Sequence, residues 1–171
     1  MTRDDWFTDI YEASWPDLVR FLHTLLGDAA SAQDIAQESL LALYERGEGA
    51  VAPEQARFWL LRVARNRALN AIERTRTRVS LADRVRGLFA RIVPHAEDLF
   101  ARDQETRHLM NQLGTLPEAQ RAPLLLRELE GLTYAEIADL LGVSIAKIKT
   151  DIFRARTAMR ALRNKASGGT K

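Results

Sequence analysis

The stretch that decides the fold is TYAEIADLLGVSIAKIKTDIFRARTAMR, residues 133–160. Thr133 and Glu136 stand at capping-box spacing, in which the Thr hydroxyl accepts from the third helical amide and the Glu carboxylate returns to the cap amide. A helix therefore starts just after Thr133. Ile137, Ala138, Leu140 and Leu141 give that helix an apolar side, and Ala138 is small enough for a second helix to cross closely. Gly142 supplies the left-handed conformation that ends a helix at low cost, and Ser144 is placed to cap the next one. Two helices joined by a three-residue turn have the spacing of a motif that lays its second helix against DNA.

The second helix divides into two faces. At about 100° per residue, Ile145, Ile148, Ile152, Ala155, Met159 and Leu162 fall on one stripe, which is expected to face the core. Ala146, Lys147, Thr150, Phe153, Arg154 and Thr157 lie opposite. Lys147 and Arg154 can reach phosphates or guanine O6 and N7, Thr150 can donate or accept at a base edge, and Ala146 allows close approach or contact with a thymine methyl. Lys149, Arg156, Arg160 and Arg163 lie to the side, where backbone phosphates are expected. An αα-hairpin with a basic surface is the plainer alternative, but the Ala and Gly offsets followed by a basic second helix favour a DNA reader.

Working outward, nearly every segment keeps a helical period. Phe7, Ile10, Tyr11, Leu18, Phe21, Leu22, Leu25 and Leu26 recur at three- and four-residue steps, with Pro16 expected to open a turn or mark a break. Gly27 and Asp28 punctuate. Ala32, Ile35, Ala36, Ser39, Leu40, Leu43 and Tyr44 form the next apolar stripe, with Ser31 as its expected N-cap. Gly47, Gly49 and Pro53 mark a loop, after which Gln55 to about Arg78 reads as a long third helix. Residues 79–104 read as a connector, in which Leu81, Val85, Leu88, Phe89 and Ile92 could form one short amphipathic helix weakened by Gly87 and ended by Pro94. Helical patterning resumes from Gln104, broken by Gly114, Pro117 and Gly131, and residues 166–171 read as a frayed tail. Period-two alternation is absent, so the chain is expected to be all-α.

Composition narrows the function classes. With 46% hydrophobic and 28% charged residues in 171, the sequence is that of a globular protein of one ordinary domain or two small ones. No stretch approaches the roughly 20 apolar residues of a membrane span, and Arg3, Asp4 and Asp5 before Trp6 do not make a signal peptide, so a cytoplasmic location is expected. The absence of cysteine excludes disulfides and thiolate metal sites, and His23, His95 and His108 have no paired ligand spacing; no metal and no cofactor are expected. The net charge of +2 hides four blocks: −8 over residues 1–56, +8 over 57–93, −5 over 94–143 and +7 over 144–171. Two basic blocks on separate predicted helices are candidate footprints for phosphate backbones. The carboxylates lie on helix faces without the clustered metal ligands or activated nucleophile of a nuclease, so an enzyme is not expected.

The third helix adds discriminating chemistry. Its sequence from Phe58, FWLLRVARNRALNAIERTRTR, places Arg62, Asn66, Asn70 and Arg74 four apart on one stripe, with Arg65 beside them. Arginine can hold a single strand's backbone while asparagine hydrogen-bonds an exposed base edge. Phe58 and Trp59 are expected to belong to the core. On the second helix, Asp34, Gln37, Glu38 and Leu41 share the outer face, and an apolar side chain set among acids there reads as a protein interface.

At these residues the chain resembles a sigma factor of the extracytoplasmic-function type, across most of its length. SAQDIAQESLLALYER from Ser31 resembles the family's core-polymerase-binding helix, FWLLRVARNRALNAIERTR its element that recognises and melts the −10 region, and LPEAQRAPLLLRELEGLTYAEIADLLGVSIAKIKTDIFRARTAMR from Leu116 its −35-binding domain. The resemblance implies two helical domains joined by a flexible linker: residues 1–78 for core polymerase and the −10 element, 79–104 as linker, and 105–165 for the −35 element. It assigns Ser144, Ala146, Lys147, Lys149, Thr150, Phe153, Arg154 and Arg156 to −35 DNA. Arg62, Arg65, Asn66, Asn70 and Arg74 fall to −10 DNA, and Asp34, Gln37, Glu38 and Leu41 to core RNA polymerase. An anti-sigma partner is implied as well. The loop from Gly47 to Gln55 corresponds to the family's −10 specificity loop, which captures a flipped base, although GEGAVAPEQ holds no aromatic wedge. Asp151 stands where the family usually has a basic residue, and Phe153 where it commonly has a polar one. The alternative function is that of a stand-alone helix-turn-helix repressor or activator, which would bind operator without polymerase.

Overall fold

The computed structural model describes residues 3–47, 49–78 and 104–167. Among them every element is a helix: α1 (Arg3–Leu26), α2 (Ala29–Arg46), α3 (Pro53–Arg78), α4 (Gln104–Gly114), α5 (Glu118–Glu128), α6 (Tyr134–Leu141) and α7 (Ile145–Ser167). The apolar stripe read for the connector lies outside the described residues. Helix α7 runs two residues into the stretch expected to be a tail, and residues 168–171 again lie outside.

The first three helices pack on one another. Helix α1 contributes Trp6, Ile10, Leu18, Phe21, Leu22 and Leu25, α2 contributes Ala32, Ile35, Ala36, Leu40 and Leu43, and α3 contributes Ala56, Leu60, Leu61, Ala64 and Ala68. Each buried leucine, isoleucine or phenylalanine stabilises this core by roughly 1.5–3 kcal/mol. The small α3 residues let its backbone lie close to its neighbours. Phe58 and Trp59 are half-buried and packed against the core, each with an arginine over its ring: Arg62 at 5.1 Å and Arg46 at 5.3 Å.

Two local expectations are corrected. Helix α1 passes through Pro16 without a break, since Pro16 lies inside the continuous helix. Helix α2 is capped by Asp28, whose carboxylate accepts from the Ser31 amide at 2.8 Å, and not by Ser31. Gly27, at φ 76°, ends α1 one residue earlier and so decides which of the two capping residues is used.

The C-terminal helices form a second set. Ala122, Leu124, Leu125 and Leu126 of α5 are buried with Ile137, Ala138 and Leu140 of α6 and Ile148, Ile152 and Ala155 of α7. Arg127 fastens the α5–α6 junction, donating to the Leu132 carbonyl at 2.8 Å while its guanidinium lies 5.3 Å from the centre of the Tyr134 ring. The two sets also touch: α1 packs against α4 and α5, and α3 packs against α6.

Candidate nucleic-acid interface

Local sequence builds the helix-turn-helix as expected. The Thr133 hydroxyl accepts from the Glu136 amide at 3.2 Å, and the Glu136 carboxylate accepts from the Thr133 amide and hydroxyl, each at 2.7 Å. Those hydrogen bonds hold the Glu136 carboxyl below the usual carboxylate range. Gly142 adopts the left-handed conformation at φ 67°, ψ 36°, and the Val143 amide returns to the Ala138 carbonyl at 3.0 Å. Ser144 then caps α7, its hydroxyl accepting from the Lys147 amide at 3.2 Å.

The faces of α7 separate largely along the predicted lines. Ile148, Ile152 and Ala155 are buried, and Met159 packs partly against the core. Ile145 departs from the expected stripe: it is exposed, because the core is reached only from Ile148 onward. Ala146, Lys147, Lys149, Thr150, Phe153 and Arg154 are all exposed, with Phe153 at 67%. The Thr150 hydroxyl donates to the Ala146 carbonyl at 3.0 Å, which uses its proton and leaves the oxygen able to accept. Arg156 is half-buried and donates to Glu128 of α5 at 2.6 Å, a contact that raises its already high pKa.

Asp151 is buried, at 6% exposure, so its carboxylate does not face the position of a DNA backbone. It accepts from the Lys147 ammonium at 2.5 Å, one turn earlier on the same helix. A carboxylate that looked unfavourable beside phosphates thus holds the ammonium of a candidate base-reading cation.

On α3, Asn66, Asn70 and Arg74 are exposed along one stripe. Arg62 and Arg65 are not. Arg62 donates to the Asp139 carboxylate of α6 at 2.7 Å, and its Nε has no hydrogen-bond partner. Arg65 donates to Glu118 of α5 through Nη2 at 2.9 Å and Nε at 3.2 Å, and through Nη1 to the Asn66 side-chain carbonyl at 3.4 Å. Glu118, Asp139 and the neighbouring pair Arg57 and Glu130 were invisible to a reading by periodicity, because the contacts join residues more than 50 positions apart.

On α2, Asp34, Gln37, Glu38 and Leu41 form an exposed outer face, with Leu41 at 55% exposure. Glu38 accepts from Arg67 of α3 at 2.7 Å. In the loop before α3, Val51 turns inward and is buried, which anchors the loop to the core. Among the described residues no group of three or more histidines or acids could hold a metal ion, and no helix is long and apolar enough to cross a membrane.

A helix-turn-helix with a clear outer face, preceded by a three-helix unit bearing an Arg and Asn stripe, defines a two-part DNA-reading protein. Residues 10–78 match the profile of sigma-70 region 2, and residues 107–159 match that of sigma-70 region 4. The chain is 33% identical over 151 residues to the RNA polymerase sigma-H factor of Pseudomonas aeruginosa, covering 83% of this chain and 76% of that protein. It is 31% identical over 160 residues to the ECF RNA polymerase sigma factor SigC of Mycobacterium tuberculosis, covering 88% and 79%. The chain belongs to the extracytoplasmic-function sigma factors of the sigma-70 family. Its fold is also that of the sigma factor RpoE solved in complex with the anti-sigma factor NepR from Bartonella quintana, with a TM-score of 0.67 at 20% identity over 95% of this chain and 98% of that one.

Proposed function

We propose that this protein is a non-catalytic promoter-specificity subunit that binds core RNA polymerase in the bacterial cytoplasm and directs it to promoters carrying −35 and −10 elements. The observation that carries this reading is the pair of DNA-suited surfaces, on α3 and α7, within one chain whose two regions occur in the family's order.

In this reading α7 enters the major groove of the −35 duplex. Ser144 and Ala146 approach at its N-terminus, Lys147, Thr150, Phe153 and Arg154 face base edges, and Lys149 and Arg156 position the helix on phosphates. Phe153 offers apolar contact suited to a thymine methyl. Helix α3 lies along the unpaired −10 strand: Arg62, Arg65 and Arg74 hold its backbone, and Asn66 and Asn70 hydrogen-bond exposed base edges. The outer face of α2, with Asp34, Gln37, Glu38 and Leu41, binds the polymerase. Residues 1–78 and 105–165 act as the two functional units, with 79–104 joining them. Likeness to a sigma factor held by an anti-sigma factor supports a partner of that kind for this chain too.

The test is sequencing of transcripts initiated by core polymerase supplied with this protein. Shared −35 and −10 sequences upstream of the start sites are the expected result. Tight binding to an operator duplex with no change in initiation would instead identify a stand-alone regulator. Within the complex, Lys147→Ala and Arg154→Ala weaken −35 recognition, whereas Asn66→Ala impairs opening more than initial binding. Equal loss in closed and open complexes for Asn66→Ala contradicts its strand role.

A further inference from the structure

Arg67 stands outside the stripe of Arg62, Asn66, Asn70 and Arg74, yet the turn of the helix brings it to the flank of that stripe. At about 100° per residue it projects about 60° round the axis from Asn70 and about 20° from Arg74. Asn70 is one i+3 step further along, a spacing at which side chains on a helix surface are neighbours. Ala64 and Ala68 are buried and fix the core side of this stretch of α3, while Arg67 keeps 37% of its side chain in solvent.

Its ionic partner sets Arg67 apart from Arg62 and Arg65. Those two meet carboxylates of α6 and α5. Arg67 donates through Nη1 to Glu38 of α2 at 2.7 Å, a contact made within the first helix set. Glu38 follows Asp34 by one turn on the outer face of α2, so its carboxylate stands where that face borders α3. A guanidinium carries five N–H donors in one rigid plane. A carboxylate on one of its nitrogens therefore holds the plane and leaves donors for a second oxyanion, such as a strand phosphate. A cation held in this way has less side-chain freedom to lose on binding than one that samples many rotamers.

We infer that Arg67 is a further −10 strand residue, a phosphate anchor beside Asn70 and Arg74 whose guanidinium is oriented by Glu38 from α2. The inference rests on the −10 reading of α3. Glu38 then belongs to two surfaces at once, since its carboxylate lies on the face proposed to meet polymerase and also positions a cation for the strand. Arg67 makes the contact; Glu38 acts through it as a positioning residue. An exposed ion pair is weak, so the effect of Glu38 on the strand is smaller than that of Arg67 itself. Phosphate contacts carry no base preference, so Arg67 sets strand affinity and its salt dependence and leaves sequence choice to Asn66 and Asn70.

The experiment uses the full chain bound to saturating core RNA polymerase. Its probes are a fluorescent fork whose −10 segment is single-stranded, taken from a promoter mapped by transcript sequencing, and a duplex fragment carrying only the −35 element. Arg67→Gln is expected to bind the fork roughly tenfold more weakly than wild type and the duplex fragment equally well. The slope of log fork affinity against log salt should become shallower by about 0.7, the share of one single-strand phosphate. Arg67→Lys, which keeps the charge, should return that slope to the wild-type value. Glu38→Gln should weaken fork binding about threefold and add nothing to Arg67→Gln. Unchanged fork affinity in Arg67→Gln overturns the inference, as does a loss that retains the full salt slope, or a Glu38→Gln loss that persists in the Arg67→Gln background. Circular dichroism checks folding. Should Arg67→Gln misfold, Arg67→Met, which keeps an apolar stem, replaces it with the same expected losses, and wild-type fork affinity there again overturns the inference. Failure of the underlying α3 reading has its own signature: Asn66→Ala/Asn70→Ala binds the fork as tightly as wild type.

Discussion

Thr133 and Glu136 exchange three hydrogen bonds within one turn and so fix the start of α6. Thr133→Ala is expected to lower stability by about 1 kcal/mol in urea unfolding, the usual effect of losing an N-cap hydroxyl. The pH dependence follows from the lowered Glu136 pKa, caused first by the Thr133 amide and then by its hydroxyl. A depressed carboxylate contributes stability that is complete above the ordinary Glu range and is lost as pH falls through the depressed value. The difference between wild type and Glu136→Gln should therefore narrow in strong acid, and a gap that stays constant would show that the carboxylate charge is not what the cap uses. Asp151 sets a second test at this scale. Buried and bonded to Lys147, it fixes an ammonium that would otherwise sample many rotamers. Asp151→Ala removes an i, i+4 pair worth about 0.5 kcal/mol to the helix, but its larger expected effect is on base preference. In selections from randomised −35 duplexes, Asp151→Ala and Lys147→Ala should relax the same base position, and the double variant should be no worse than Lys147→Ala alone. Relaxation at different positions would show that Asp151 does not act through Lys147.

Elements whose limits are set by neighbouring residues were legible in the sequence. The capping box, Gly142 and Ser144 define the turn between α6 and α7 without help from the rest of the fold, and the observed φ of 67° at Gly142 is what a glycine there permits. Where two local solutions compete, tertiary structure decides. Asp28 and Ser31 are both capping types, and the end of α1 at Gly27 selects Asp28. Ile145 continues the apolar period of α7 but precedes the turn that first meets α5 and α6, and so stays in solvent. Of the α3 stripe, Asn66, Asn70 and Arg74 point outward as the spacing requires, whereas the partners of Arg62 and Arg65 come from helices that no periodicity links to α3. Helix α2 offers the cleanest contrast between burial and interface. Leu40 is 2% exposed and its neighbour Leu41 is 55% exposed. Leu40→Ala should cost about 2–5 kcal/mol of stability through lost burial and a residual cavity. Leu41→Asp should leave stability within about 0.5 kcal/mol of wild type while abolishing co-purification with core polymerase. Retention of polymerase by a folded Leu41→Asp variant would remove α2's outer face from the proposed interface.

At the scale of the whole molecule, one carboxylate reports on whether the two halves are together. Glu130 has its side chain fully enclosed between the helix sets, and the charged groups facing it are Arg57 from α3 and Arg20 and Asp17 from α1. Burial pushes its pKa above the usual carboxylate range; Arg57 opposes this, Asp17 adds to it and Arg20 opposes it. Separation of the halves returns Glu130 to water and to an ordinary pKa. The docked state thus binds a proton more tightly than the separated one, and by linkage acidification strengthens docking as pH falls through the raised value toward the ordinary one. Above the raised value the docked state carries the full cost of a buried charge, offset by Arg57. Glu130→Gln keeps an acceptor for Arg57 but cannot ionise, so its docking should not vary with pH in that window. Scattering profiles collected from neutral pH down to the top of the usual Glu range should show wild type becoming more compact while Glu130→Gln stays level. A wild type that expands over the same window would mean that attraction to Arg57 outweighs the burial of Glu130, reversing the sign of the coupling.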